Sequence, residues 1–360
     1  MKILAIVKDS HSGTAESATD LWRIKRPLQE LQKHTGWQVD FQKSLIRTPD
    51  EYDDPDDFMR EHAEEEVDHL GQYDLIFTSY FTSPHIYTLL WGAERKHGTK
   101  FIIDTDDDFY DVDPENPFWL AAGWEGAHFL RTIGEVAPYL CTTNRQLAKK
   151  LRLKSGVGAK VFTIPNYISD VYKEYDPTNQ IVRVGYFGGA SHYHDLHETG
   201  VLPAIKQIME ENPHVHFRCV GQPVDEDLPE DRSDSLPVAE GEPWARERFP
   251  QLHYDIALAP IRETEFNKHK SNIKWQESTR MGAAFICTNY GPYKSLRDGT
   301  SWRVPNTREA WYIAIKALVD DGQKRKNMVK VARAELINWK LEYNWQKYKD
   351  MFETVINKTV

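Results

Sequence analysis

The sequence predicts an α/β protein of two doubly wound, parallel-sheet domains, and three observations carry that prediction. At 360 residues the chain is longer than one hydrophobic core usually supports, so two domains of about 150–180 residues are expected. From the first residue, short apolar runs alternate with helical patterns, which is the mark of strand–helix–strand units. The series then breaks at Pro165 to Gln180, where two prolines and several turn formers make a linker, and starts again beyond it.

In chain order, strands are expected at Lys2 to Val7, Trp37 to Gln42, Tyr73 to Ser79, Lys100 to Asp104, Tyr139 to Thr143 and Lys160 to Ile164. Apolar residues three and four apart place helices at Ala18 to Lys33, His85 to Lys96 and Asn144 to Leu151. The second series has strands at Val182 to Phe187, His216 to Val220, Tyr254 to Ala259 and Ala284 to Thr288. Its helices are expected at Asp195 to Glu211, Asn272 to Met281, Thr307 to Asp320 and Gln323 to Leu336. A Trp- and Tyr-rich helix, Trp339 to Ile356, follows and needs a surface to cover. Two acidic runs, Glu51 to Asp68 and Asp225 to Asp234, contain prolines and read as solvated loops.

Hydrophobic residues make up 40% and charged residues 28%, which allows a packed core and excludes a disordered chain. The net charge of −10 gives no general attraction to nucleic acid, whose sequence-independent binding relies on Lys and Arg. Cys141, Cys219 and Cys287 stand in apolar surroundings without a partner at metal-ligand spacing, and read as buried thiols. No apolar run approaches the roughly 20 residues of a membrane span, and Met1 to Val7 enters a strand directly. A cytoplasmic protein is expected.

Open parallel sheets bind ligands beyond the carboxyl ends of their strands, so the loops there hold the candidate chemistry. Strongest is Phe266-Asn267-Lys268-His269-Lys270-Ser271-Asn272-Ile273-Lys274-Trp275-Gln276-Glu277, ahead of Gly282. Ser271 or Asn272 can cap the helix and Gly282 can end it. Lys270 and Lys274 then stand at the positive end of the helix dipole, where cations are unfavourable unless an anion joins them. Glu277 shares their face, and its carboxylate can accept both hydroxyls of a ribose; the plainer reading is an exposed Lys274–Glu277 pair of small value.

After Val182 to Phe187, Gly188-Gly189-Ala190-Ser191-His192 forms a strand-to-helix turn that lets a phosphate approach the backbone, although a tight turn alone needs no ligand. His192, His194 and His197 invite a metal reading, but no Cys partner or further ligand segment supports it. His192 faces the same loop and can donate to a phosphate or a sugar hydroxyl. In the first domain, Asp104-Thr105-Asp106-Asp107-Asp108 crowds carboxylates at a strand end, suited to hydroxyl or metal binding or to capping turns. Thr82-Ser83-Pro84-His85 presents His85 at a helix start, in a capping or a catalytic role. Ser10 to Thr14, with Gly13, is suited to closing over a ligand, and Phe118 to Trp124 to stacking a sugar or base or to core packing.

Taken in order, these segments resemble the retaining glycosyltransferases of the GT-B fold, the family 4-like or group 1 enzymes. The matching segments are Arg23/Pro27, Asp104 to Phe109, Cys141-Thr142-Thr143-Asn144 with Leu147, Ile164-Pro165-Asn166, Gly185 to His192, Asp255 to Pro260, Phe266 to Glu277 and Gly291-Pro292-Tyr293. The resemblance implies two Rossmann-like domains facing a cleft: an acceptor-side domain over 1–170, a nucleotide-sugar domain over 171–338, and a C-terminal helix over 339–360 crossing back to the first. It implies metal-independent transfer of a sugar, without a cofactor, from a nucleoside-diphosphate donor, expected to be a UDP-sugar.

On this reading Asp106, Asp107, His85 and His192 form the catalytic set. Gly13, Gly188, Gly189, Ser191, Lys270, Ser271, Lys274 and Glu277 bind the donor. The chain departs from the family where a second glutamate often stands: that position is His269, with Glu263 and Glu265 as candidate substitutes. The acceptor is open among small molecules, glycans, proteins and a modified base of viral DNA. A sugar-nucleotide epimerase and an inactive nucleotide-sugar-binding protein are the alternatives.

Overall fold

The computed structural model describes residues 1–8, 17–43, 55–80, 84–112, 116, 128–170, 181–223, 228–239 and 241–357. The chain divides into two compact units, Met1–Asn166 with Leu341–Val360, and Tyr167–Lys340. Each is built on a wholly parallel six-stranded sheet, so the α/β, Rossmann-like reading holds for both.

In the first unit β1 (Lys2–Ile6), β2 (Gln38–Gln42), β3 (Leu75–Ser79), β4 (Lys100–Thr105), β5 (Tyr139–Thr142) and β6 (Lys160–Thr163) lie in the order β2-β1-β3-β4-β5-β6. All five residues of β3 are buried, as expected of a central strand covered on both faces. The helical stretch α1 runs from Ala18–Asp20 through a wider turn, Leu21–Lys25, to Arg26–Thr35. The wide turn directs Trp22, Arg23 and Ile24 inward. α2 (Pro55–Leu70), α3 (Pro84–His97), α4 (128–136) and α5 (Arg145–Lys154) follow; Asn144 caps α5 by accepting from the Leu147 N–H.

The second unit orders β7 (Val182–Phe187), β8 (Val215–Val220), β9 (Ser233–Leu236), β10 (Ile256–Ala259), β11 (Ala284–Thr288) and β12 (Trp302–Val304) as β12-β11-β10-β7-β8-β9. β8 lies to one side of β7 and β10 to the other, so the strand order reverses there, and the carboxyl ends of strands at such a reversal are where open parallel sheets bind ligands. Helices α6 (Tyr193–His197), α7 (Val201–Glu211), α8 (Ile273–Met281), α9 (Arg308–Asp320) and α10 (Gly322–Leu336) accompany these strands. The core gathers Val184, Phe217, Ile256, Ile286, Ile205 and Trp311.

Four expectations need correction. The acidic run 51–68 is not a loop: α2 covers most of it, because Val67 and Leu70 repeat at helical spacing and Leu70 is fully buried. The run 225–234 ends in β9, a polar edge strand whose Asp234 pairs with Arg218 at 2.6 Å. The helix expected over 195–211 is two helices, since Gly200 takes a left-handed φ of 78° between them. The terminal segment is two 3-10 turns, Ile337–Trp339 and Leu341–Tyr343, and then α11 (Gln346–Ile356). α11 belongs to the first unit, where Phe352 packs 5.2 Å from Phe77 and Trp345 stacks on His34 at 4.5 Å. β12, only three residues long, escaped notice in the sequence.

Arg23 ties the first unit together. Its guanidinium, fully buried, donates to both oxygens of Asp104 at the end of β4, to the Ile164 carbonyl at 2.5 Å and to Asn166 Oδ1 at 3.2 Å. Removing one partner of a buried pair strands the other charge. Arg23→Met is therefore expected to destabilise the first unit by about 3–5 kcal/mol, read from the urea midpoint of its unfolding transition.

Candidate functional site

The site grows from the turn after β7. The Gly188 N–H donates to the Val220 carbonyl at 3.0 Å, and Gln222 Nε2 donates to the carbonyls of Gly188 and Gly189, so β8 and its loop fix the turn. A Cβ on Gly188 would lie 2.7 Å from the Tyr186 hydroxyl and 3.0 Å from Lys274 Nζ, whereas one on Gly189 would meet none of the described residues within 4 Å. Close approach therefore explains the first glycine and not the second. Ser191 lies exposed in the 3-10 turn Ala190–His192 that leads into α6.

Lys274 is the second residue of α8. It is buried, and among the described residues its ammonium has no hydrogen-bond partner; it sits 4.8 Å from the Tyr186 ring centre and 5.8 Å from that of Phe187. Burial, followed by repulsion from Lys270, pushes its pKa down to about 8 against the opposing pull of Asp195 and Glu277. Asn272 occupies the cap position without capping the helix: its Oδ1 accepts from Gln276 Nε2 at 3.0 Å instead. The Asn272 side chain therefore leaves the positive end of the helix, at the first-turn N–H groups, without a cap. Gly282 ends α8 in the left-handed conformation.

Lys270 precedes α8 rather than lying on it, its Nζ 4.8 Å from the centre of the Phe266 ring and 3.4 Å from His192 Nε2. The expected shared face of Lys270 with Glu277 does not form, because the helix begins only at Ile273. Ser271 is half-buried in the same connection.

His192 belongs to a chain of fixed contacts. Its Nδ1 lies 2.8 Å from Asp195 Oδ2, while Asp195 Oδ1 accepts from the Arg262 N–H and from Asn267 Nδ2, both at 2.8 Å. Burial and the two lysines push the imidazole down to about 3, against Asp195. Burial alone would raise the Asp195 carboxyl, but its hydrogen bond with His192 and the nearby positive charges hold it below the usual range. A carboxylate facing a neutral ring puts the proton on Nδ1 and leaves Nε2 as an acceptor toward Lys270. The other two histidines turn elsewhere, His194 to Glu198 and His197 to the Tyr193 carbonyl. Among the described residues no group of three His, Cys, Asp or Glu is placed to hold a metal.

Glu277 is buried, not part of an exposed pair with Lys274. Its Oε1 accepts from the indole N–H of Trp244 at 2.8 Å, and Trp244 packs 5.4 Å from Phe187. His269 is buried; Glu263 and Glu265 are exposed, and Glu265 pairs with Lys268 at 2.9 Å.

The remaining candidates are in the first unit. Asp104 pairs with Arg23 and Asp108 with Lys150 at 2.6 Å, so both are structural. Asp106 and Asp107 are half-buried beyond β4, where Asp106 accepts from Thr19 at 3.2 Å. His85 is exposed in the first turn of α3. Gly13, the loop 10–14, residues 82–83, the aromatic segment 118–124 and most of the linker lie outside the described residues. Sequence reasoning missed Asp195, Trp244 and Tyr186. The i, i+3 spacing of His192 and Asp195 was a usable signal, whereas Trp244 stands 33 residues from Glu277 with no local pattern to join them.

No family model and no curated protein matches the chain. Solved structures do. HepE of Anabaena, in complex with UDP-glucose, aligns with a TM-score of 0.63 at 14% identity over 98% of this chain and 100% of its own. TarM aligns at 0.58 and 11% over 79% of this chain, which spans 57% of TarM's length. A putative UDP-N-acetylglucosamine 2-epimerase from Listeria monocytogenes aligns at 0.57 and 9%, covering 100% and 97%. At these identities the likeness is one of fold, and the fold is GT-B.

The crowding at Gly188 yields a paired test. Gly188→Ala is expected to displace the Lys274 ammonium and weaken stabilisation by inorganic pyrophosphate at least tenfold in apparent Kd, while Gly189→Ala leaves it within about twofold. Thermal-shift titration of both variants reads the difference.

Proposed function

We propose that the chain is a glycosyltransferase, a hexosyl- or pentosyltransferase that moves a sugar from a nucleoside-diphosphate donor, a UDP-sugar in the first instance, to an acceptor hydroxyl with retained configuration. One observation carries the reading: a buried, unpartnered Lys274 ammonium at the uncapped start of α8, against Gly188 and near Lys270. Such an arrangement is unfavourable until an anion enters, and a diphosphate supplies the charge and the oxygens.

As the sugar leaves, negative charge develops on the diphosphate. Lys270, Lys274 and the first-turn N–H groups of α8 are proposed to stabilise it through fixed charges and dipoles. Glu277, steadied by Trp244, is proposed to accept the ribose hydroxyls, and Gly188, Gly189, Ser191 and Ser271 to line the phosphates. Neutral His192 is proposed to hold Lys270 in place. Asp106, Asp107 and His85 of the first unit are the proposed groups for the acceptor hydroxyl. No metal or cofactor enters this scheme. The net charge of −10 disfavours a long duplex as acceptor, while a modified base in a short strand stays within the reading.

The epimerase among the structural neighbours supports a second reading, conversion of the nucleotide sugar without an acceptor. Incubation with UDP-sugars alone separates the two: a transferase returns the donor unchanged or slowly hydrolysed, and an epimerase produces its epimer. Lys274→Ala is expected to lower turnover by about 100-fold or more. Unchanged donor affinity together with unchanged turnover would sink the assignment.

The sign of the pH dependence follows from Lys274. Its pKa in the unliganded chain is about 8, and a bound diphosphate favours the ammonium and raises it. Donor affinity is therefore complete below about pH 8 and falls by up to tenfold per unit above it, until the pKa of the complex is reached. Calorimetric titration with UDP between pH 7 and 9.5 measures this slope, and Lys274→Met is expected to abolish it.

A further inference from the structure

Tyr186, the penultimate residue of β7, is fully buried, yet among the described residues its hydroxyl has no hydrogen-bond partner. Buried tyrosine hydroxyls nearly always find one. The orphan is not produced by a loose backbone. Tyr186 pairs with Cys219 of β8 and Leu258 of β10, and its carbonyl accepts from the Tyr254 hydroxyl at 3.1 Å. The side chain beside it is in the same condition: the Lys274 ammonium, also without a partner, lies 4.8 Å from the centre of the Tyr186 ring. Hydroxyl and ammonium converge on one bare Cα, since a Cβ on Gly188 would come within 2.7 Å of the first and 3.0 Å of the second.

Both groups are donors in want of an acceptor. The ammonium has no lone pair to offer, and burial holds the phenol protonated, well above its ordinary range. The phenol oxygen can accept from the ammonium, but the phenol O–H would still want an acceptor, and an anionic oxygen brought against the glycine serves both donors together. We propose that the Tyr186 hydroxyl is a ligand of the donor's diphosphate, donating beside Lys274 across Gly188. The proposal rests on the nucleoside-diphosphate reading of the site and adds to it a residue that lies within a core strand rather than in a phosphate loop.

The proposal predicts two effects of opposite sign. Tyr186→Phe removes an unsatisfied buried hydroxyl and keeps the ring that faces Lys274, so the unliganded fold holds or gains stability. The same change removes a hydrogen bond to a charged group in the complex, which corresponds to about tenfold weaker binding. Thermal unfolding of the unliganded wild type and variant, with calorimetric titration by UDP and by uridine, reads both.

The expected result is an equal or higher Tm, UDP affinity about tenfold weaker, and an unaltered response to uridine. Equal UDP affinity in the two proteins overturns the role of Tyr186 alone. A lower Tm with UDP and uridine weakened alike assigns the hydroxyl to packing and also overturns it. If the wild type binds none of UDP, GDP and ADP, the nucleoside-diphosphate reading fails and takes the proposal with it.

Discussion

The buried ammonium of Lys274 is the constraint around which the second unit's site is arranged. A cation taken out of water without a partner is costly, and proteins ordinarily avoid one or pair it. Here the surroundings add to that cost: Lys270 repels the ammonium, and the uncapped start of α8 presents its positive end nearby. The offsets are weaker, from the rings of Tyr186 and Phe187 and from the charges of Asp195 and Glu277. Such an environment is poorly suited to a resting protein and well suited to one that meets a multiply charged anion.

The supporting shell follows from the same requirement. The Asp195 carboxylate is held by the Arg262 N–H, Asn267 and His192, and is anchored from three directions. Through neutral His192 it constrains Lys270 without neutralising Lys274. A buried aspartate bonded directly to Lys274 would have quenched the charge the site depends on. The first unit treats its charges in the opposite way: Arg23 and Asp104 are paired by several hydrogen bonds and spent on holding strand ends together.

Much of the fold was legible because central parallel strands, largely buried, read as short runs dominated by apolar residues. Val182–Phe187 and Ala284–Thr288 are found in the structure with the bounds their sequence suggests. What sequence missed lay where that signal fades. Ser233–Leu236 is a polar edge strand, and Pro55–Leu70 is a helix whose acidic surface masks a narrow apolar stripe. Gly200 divides what periodicity joins, because the apolar spacing runs on through a residue whose left-handed backbone interrupts the helix. For the site, the lysines and glycines could be recognised as a local pattern. The burial of Lys274, the indole on Glu277 and the orphaned hydroxyl of Tyr186 could not, since each depends on residues brought together by sheet pairing.

The most direct test of this account is the protonation of Lys274 itself. Isotope-labelled lysine NMR, assigned with Lys274→Met, follows its side-chain resonances against pH with and without UDP. The account predicts a titration near pH 8 in the free protein that moves up by a unit or more when UDP is bound. An ordinary lysine titration near 10.5, unmoved by UDP, would contradict it.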